Sequence, residues 1–305
     1  HRDLHYPLRR QRQMCIRDRA GKEGKFVQSR KIRERLQKET LLNVAVQLEE
    51  SGESDMFIIK GRGEFQMEIL LETMRREGYE LSVGRPHVIF KEKKGIKMEP
   101  IEHVYIDCDE AHIGIITEKL SQRKARMENM LNHGTGRVRL EFTIPTRALI
   151  GYRNEFLTDT RGTGIMSSYL KGYEEFRGEV VLRLTGSLVA DRPGVAVPYA
   201  LKNLEDRGNL FVCPQEPVYE GMIVGENSRD NDLNVNPCKE KKLTNMRASG
   251  SDDAIVLKPV LPLTLGKAIT FIQEDELVEV TPKSIRLRKK ILPANMRKSS
   301  RKTAE

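Results

Sequence analysis

The side chains best suited to chemistry in this sequence are cations gathered where apolar residues are scarce. Between Asn227 and Asp253, Lys239, Lys241, Lys242 and Arg247 stand among Asn231, Asn234, Asn236, Asn245, Ser249 and Ser251. Ammonium and guanidinium groups neutralise phosphates, and amides and hydroxyls bond to sugars and base edges, so this mixture suits an irregular RNA surface. The segment has almost no apolar periodicity, and loops beyond about 15 residues are as a rule functional or disordered. Composition alone weighs RNA contact and a solvated insertion equally. No aromatic residue lies in the segment, so base stacking is not indicated. A second cationic pair, Arg137 and Arg139, alternates with Val138 and Leu140 along a strand and therefore shares one face. Two guanidinium forks side by side can grip phosphates. The alternative, of equal weight, is a solvated sheet face paired with Glu141.

Catalytic constellations are missing. A P-loop needs G-x-x-x-x-G-K-[ST], so that backbone amides and Lys hold phosphates while the hydroxyl holds Mg²⁺. Gly21-Lys22, Gly24-Lys25 and Gly266-Lys267 are each followed by the wrong residue. Gly61-x-Gly63, Gly134-x-Gly136 and Gly162-x-Gly164 lack the third glycine of a dinucleotide fingerprint, and H-E-x-x-H and G-x-S-x-G do not occur. His103 and His112 stand near Asp107, Cys108, Asp109 and Glu110, ligand types for a metal, but this run reads as a polar strand end and loop. No catalytic, cofactor-binding or metal-binding residue is therefore expected.

The elements that must position these cations fit into two or three domains, since the chain has 305 residues. Its net charge of +9 and pI near 9.3 favour a polyanionic partner without proving one. Cys15, Cys108, Cys213 and Cys238 are scattered, with no C-x-x-C pair, which suits a reduced, cytoplasmic protein. No apolar run approaches the roughly 18 residues of a membrane span, so no membrane partner is expected. Residues 1–19 carry six arginines without periodicity and are set aside as non-native or disordered.

A helix capped by Ser29 and running to about Thr40 should bury Ile32 and Leu36, with Glu34 facing Lys38. Strands are predicted at 44–48 and 55–60. A helix then follows Gly61-Arg62-Gly63, with Met67, Leu70, Leu71 and Met74 inward, before strands at 80–83 and 88–91. This is a split β-α-β unit lacking its first strand. A charged linker, Lys91 to Pro100, leads to a complete unit. It has a strand at 101–107 and a helix at 112–126. An alternating strand carries Val138, Leu140, Phe142 and Ile144, and a helix capped by Thr146 precedes a strand at 165–173. From about Gly178, short strands between Gly, Pro and Asn turns suggest a barrel or sandwich, with one helix capped by Thr264 and a tail bearing nine Lys or Arg between Lys283 and Lys302. The predicted fold is α+β: two ferredoxin-like units, then a mostly β terminal domain with one helix. Its boundaries fall at 20–97, 98–180 and 181–305, and the long loop at 227–253.

Several runs resemble a known family. Gly61-Arg62-Gly63-Glu64-Phe65-Gln66-Met67-Glu68 is similar to the G-x-G-E-L-H-L-E segment of translational GTPases related to elongation factor G. Leu149-Ile150-Gly151-Tyr152-Arg153 through Thr160-Arg161-Gly162-Thr163-Gly164 resembles part of their fifth domain. Val218-Tyr219-Glu220-Gly221-Met222-Ile223-Val224-Gly225, then Asn231-Asp232-Leu233 and Lys241 to Gly250, resembles the terminal domain that separates the BipA (TypA) family from elongation factor G and LepA. The similarity runs from about Gly21 to the tail.

The resemblance implies a ribosome-associated GTPase acting near the A site, with domains like the third and fifth of elongation factor G at 20–97 and 98–180. The terminal loop would approach 23S rRNA and the acceptor end of A-site tRNA, with family roles in large-subunit assembly, stress and low-temperature growth. GTP and Mg²⁺ would belong to a GTPase domain that this sequence does not contain, so the chain itself is expected to need no cofactor and to hydrolyse nothing alone. On this reading Lys239, Lys241, Lys242, Asn245, Arg247 and Ser249, with Arg137 and Arg139, contact RNA, and the protein is a cytoplasmic monomer. A stand-alone RNA- or protein-interaction module is the alternative, and an enzyme is the weakest reading.

Overall fold

A computed structural model of the chain describes residues 4–9, 23–50, 56–61, 63–132, 134, 136–180, 183–241 and 255–297. Two compact units emerge. One comprises His1–Arg9, Gln28–Met74 and Pro86–Leu182, the other Arg10–Val27, Arg75–Arg85 and Arg183–Glu305. The architecture is the α+β one, with sheets dominating and helices short.

The first unit begins with β1 (Leu4–Arg9), α1 (Ser29–Leu42), β2 (Gln47–Glu50), β3 (Met56–Gly61) and α2 (Glu64–Arg76). β3 is flanked by antiparallel partners on both sides, β1 through Leu8↔Phe57 and β2 through Leu48↔Ile59. The arginine-rich run 1–19 gives no strand signal of its own, yet β1 takes the place beside β3. Leu4, Tyr6 and Leu8 alternate over too few residues to stand out among the arginines.

In α1, Ile32 and Leu36 lie four apart and are buried, as the spacing requires. Ser29 does not cap it; Gln28 holds that position without a side-chain bond. Glu34 reaches back to Arg30 at 3.0 Å and Lys31 at 3.1 Å rather than forward to Lys38. β2 starts three residues later than the alternation suggests, because Asn43 makes a turn. Its Oδ1 accepts from the Ala45 amide at 3.2 Å and its carbonyl from the Val46 amide at 3.0 Å, leaving Val44 exposed.

Next come β4 (Leu81–Val83), which belongs to the second unit, then β5 (His87–Val88), β6 (Lys91–Lys93) and β7 (Ile96–Asp109). The remaining elements of the first unit are α3 (Ile113–Gln122), β8 (Arg126–Asn132), β9 (Arg137–Pro145), α4 (Thr146–Leu149), α5 (Tyr152–Asp159) and β10 (Ile165–Glu175). Their sheet has the antiparallel order β10-β7-β9-β8, the 4-1-3-2 arrangement of a split β-α-β fold. Val138, Leu140, Phe142 and Ile144 of β9 all face the core with Val104, Ile106, Ile116 and Leu120. Two details depart from expectation. The helix ends at Gln122, so that β8 fills the edge of the sheet, and the helix after β9 breaks at Gly151, whose φ is 76°. The presumed linker is a third departure: residues 91–98 form a hairpin, β6 pairing with the start of β7 through Lys91↔Met98 and Lys93↔Ile96.

The second unit adds β11 (Gly186–Ala190), β12 (Gly194–Val195), α6 (Pro198–Leu204), β13 (Gly208–Leu210), β14 (Pro217–Val218), β15 (Met222–Asn227), β16 (Leu233–Val235), α7 (Leu265–Phe271), β17 (Glu276–Val280) and β18 (Ile285–Lys289). Its sheet runs β16-β11-β15-β18-β17-β4, with β13 also on β15 and β12-β14 as a separate ribbon. The expected helix α7 is capped by Thr264 Oγ1, which accepts from the Lys267 amide; α6 is a further helix, started by Pro198. Among the described residues no helix is long and apolar enough to cross a membrane.

A buried charge cluster ties this sheet together. Lys289 is 1% exposed and lies 2.7 Å from Asp232, 2.9 Å from Asp275 and 2.9 Å from Glu276. Glu276, fully buried, also accepts from Arg183 at 2.9 and 3.1 Å and from Ser187 Oγ at 2.7 Å. Arg183 in turn lies over the Phe271 ring, 4.1 Å from its centroid. Burial alone would raise the Glu276 carboxyl, but Lys289 and Arg183 outweigh it and hold its pKa below the ordinary 4.5. Burial would lower Lys289, but Glu276 and Asp275 hold it above 10.5.

The basic tail is partly spent in the same way. Arg286 donates to Glu23 at 2.6 Å and Arg288 forms an ion pair with Glu279 at 3.1 Å, so these charges serve the fold.

Three measurements follow. Phe142→Ala empties the centre of the β9 core and should lower unfolding stability by about 3–5 kcal/mol in denaturant titration. Lys289→Met leaves Glu276 and Asp232 without their shared cation and should cost about 3–5 kcal/mol, with less than additive loss when combined with Glu276→Gln. The stability contributed by Glu276 is present above its unfolded pKa and is lost as pH falls through the depressed folded value; that of Lys289 is present below its unfolded pKa and lost as pH rises through the raised one. Glu276→Gln should therefore flatten the decline of stability with pH below about 4.5 in an acid titration followed by circular dichroism.

Candidate nucleic-acid interface

The cation-rich loop leaves the second unit from a fixed base. Asp232 both pairs with buried Lys289 and accepts the Ser187 amide at 2.9 Å, so the charge cluster fixes where the loop departs. β16 then runs parallel to β11, Leu188↔Leu233 to Ala190↔Val235. The approach is close: a Cβ on Gly186 would stand 2.0 Å from the Asn231 carbonyl oxygen, so only glycine fits there. Beyond β16, the Val197 amide donates to Pro237 O at 3.0 Å and the Cys238 amide to Asn236 Oδ1 at 2.9 Å. Lys239 and Lys241 follow, both exposed.

The returning segment, residues 255–264, is held as well. Lys202 Nζ donates to Val256 O at 2.9 Å, the Lys258 amide to Glu205 Oε1 at 2.5 Å, and the Leu261 amide to Leu210 O at 3.2 Å. Both ends are thus attached to secondary structure by bonds that involve the backbone. Lys242, Asn245, Arg247 and Ser249 lie outside the described residues.

Arg137 and Arg139 do share a face, and both are engaged by aspartates of the neighbouring strand. Arg139 makes a two-pronged bond to Asp107, at 2.9 and 3.1 Å, and this bond raises its pKa. Arg137 reaches the carbonyls of Asp107 at 3.4 Å and Thr163 at 3.3 Å and lies 3.9 Å from Asp109. Glu141, the anticipated acid, lies instead 3.6 Å from His103 Nε2. The antiparallel register explains the exchange, since it sets Asp107 opposite Arg139 and Asp109 opposite Arg137. Two partners from a distant strand leave no trace in the local pattern. The same alternation sends Cys108 into the core and away from both aspartates. Among the described residues no group of three or more His, Cys, Asp or Glu could hold a metal ion.

The hairpin of β6 and β7 is a cationic feature that the sequence reading takes for a linker. Its sequence, Lys91-Glu92-Lys93-Lys94-Gly95-Ile96-Lys97, carries four lysines against one glutamate, and all seven residues are exposed. The signal for it is the Lys94-Gly95 pair. With φ of 54° and 76° these two form a two-residue turn of the primed kind that joins antiparallel strands.

Comparison with known proteins agrees with this architecture. The model of the TypA/BipA C-terminal domain matches residues 185–294, and that of the elongation factor G C-terminus matches residues 96–184. Proteins named large ribosomal subunit assembly factor BipA are similar over nearly the whole chain. Those of Escherichia coli strain K12 and Haemophilus influenzae are each 52% identical, over 91% and 93% of this chain, and that of Buchnera aphidicola is 48% identical over 92%. The match covers 46% of each relative, so the chain spans about half the length of the curated relatives it matches. Both matched models being C-terminal ones, and the identity running through both units, the chain belongs to the BipA (TypA) family and represents its C-terminal part.

Proposed function

We propose that this chain is the ribosome-docking part of a large-subunit assembly factor, binding rRNA through the loop that begins at Lys239. One observation carries the reading: about half of all residues are identical to proteins named large ribosomal subunit assembly factor BipA, through both units. The geometry supports it. A loop whose two ends are pinned by Asp232 and Glu205 presents its cations from a fixed origin, which limits the entropy lost when it settles on RNA.

On this reading 23S rRNA supplies the phosphates, and the acceptor end of A-site tRNA is a further partner. GTP hydrolysis belongs to the whole protein, as do roles in stress or low-temperature translation. Arg137 and Arg139 contribute less than the loop, because a phosphate would have to displace Asp107 and Asp109 first. The terminal loop therefore carries most of the electrostatic affinity.

Purified large subunits should bind the chain in a salt-sensitive manner, and Lys241→Ala/Lys242→Ala/Arg247→Ala should lower the slope of log K against log salt by roughly 2–3. Unchanged affinity and slope in the triple variant, measured in co-sedimentation between about 50 and 200 mM salt, would remove the loop from the interface.

A further inference from the structure

The hairpin at residues 91–97 has chemistry that the terminal loop does not account for. Lys93 ends β6 and Lys94 opens the turn, and neither side chain makes a hydrogen bond or ion pair with the described residues. Their neighbours are arranged differently. Lys91 lies over the Tyr173 ring at 4.1 Å, and Lys97 lies over Phe90 at 4.1 Å and Phe176 at 4.5 Å. Both remain exposed while their ammonium groups rest on aromatic faces.

The base of the hairpin is rigid. The Phe176 amide donates to Lys97 O at 3.1 Å, and Arg147 stacks on Phe176 at 4.5 Å while bonding buried Glu99 at 2.6 Å. Four cations are thus held on a short ribbon whose ladder, aromatic faces and turn are all defined.

The turn itself departs from what stability favours. At the first central position of such a turn Asn, Asp or Gly adopts the left-handed conformation readily, whereas Lys94 does so against its side chain's preference. A strained residue with a free charge at an exposed tip points to a ligand for that charge.

From this geometry we infer that the 91–97 hairpin is a second RNA-backbone site, in which Lys93 and Lys94 neutralise phosphodiester groups and Lys91 and Lys97 flank them. The occupant is an RNA strand or duplex recognised by charge and not by base, since the exposed tip offers ammonium groups and no aromatic face. The inference rests on the reading of the chain as a ribosome-binding module, but it concerns residues that the terminal loop does not include.

The test uses the full chain and the variant Lys93→Gln/Lys94→Asn, in which asparagine suits the turn better than lysine. Its melting temperature should equal or exceed that of the parent. Binding to a short RNA hairpin of arbitrary sequence is then measured between about 50 and 200 mM salt. The slope of log K against log salt should fall by about 1.4–1.8, at roughly 0.7–0.9 for each phosphate that is no longer neutralised.

An unchanged slope with the parent still binding would overturn the hairpin site alone. No RNA binding by the parent, at any salt, would overturn this inference together with the ribosome-docking reading. Loss of affinity for large subunits with unaltered affinity for the RNA hairpin would mean an acidic protein surface as the partner, and would also overturn it.

Discussion

Lys289 is the charge on which the second unit depends. Removing an ammonium group from water is costly, and this one is accommodated only because Asp232, Asp275 and Glu276 all lie within 2.9 Å. Those acids come from two places in the chain: Asp232 from the approach to β16, and the adjacent Asp275 and Glu276 from the start of β17. Arg183, from the segment leading into β11, closes the set through Glu276. Such a cluster has few alternative arrangements, because any register slip would leave a buried charge without a partner.

That constraint reaches the cation-rich loop through Asp232. One of the three acids around Lys289 stands just before β16, the strand that leads to the cation-rich loop, and Gly186 lets the backbone at Asn231 lie directly against β11. A surface that recognises phosphates by charge needs its cations displayed and its scaffold held, and the second unit separates these tasks. Its buried cations, Lys289 and Arg288, and the inward-bound Arg183 and Arg286, serve the fold, while Lys239 and Lys241 remain exposed. The first unit divides its cations similarly. Arg137 and Arg139 are tied to aspartates, Arg147 to Glu99, and Lys93 and Lys94 stay unengaged at the hairpin tip.

Much of the fold is legible locally. Alternation in β9 and four-residue spacing in α1 describe one face of one element, and the core is built from those faces. The departures arise where a short-range signal competes with a stronger neighbour. Asn43 turns the chain where alternation suggests a strand, Gly151 interrupts a helix, and Lys94-Gly95 folds a charged stretch back into a hairpin. β1 is hidden because six residues of alternation are weak evidence beside six arginines.

The sequence by itself determined the strongly periodic helices and strands, that the chain carries a cationic loop without aromatic residues, and which family it resembles, because periodicity, composition and motif spacing are properties of neighbouring residues. Only the tertiary structure decided which cations are available. Whether an arginine meets phosphate or aspartate depends on what the register places across from it. For Arg139 that partner is 32 residues away along the chain, and for Arg183 it is 93. Ion pairing is short in range and indifferent to sequence distance, so the same residue type reads identically in the sequence whether it is buried at 1% exposure like Lys289 or open to solvent like Lys93.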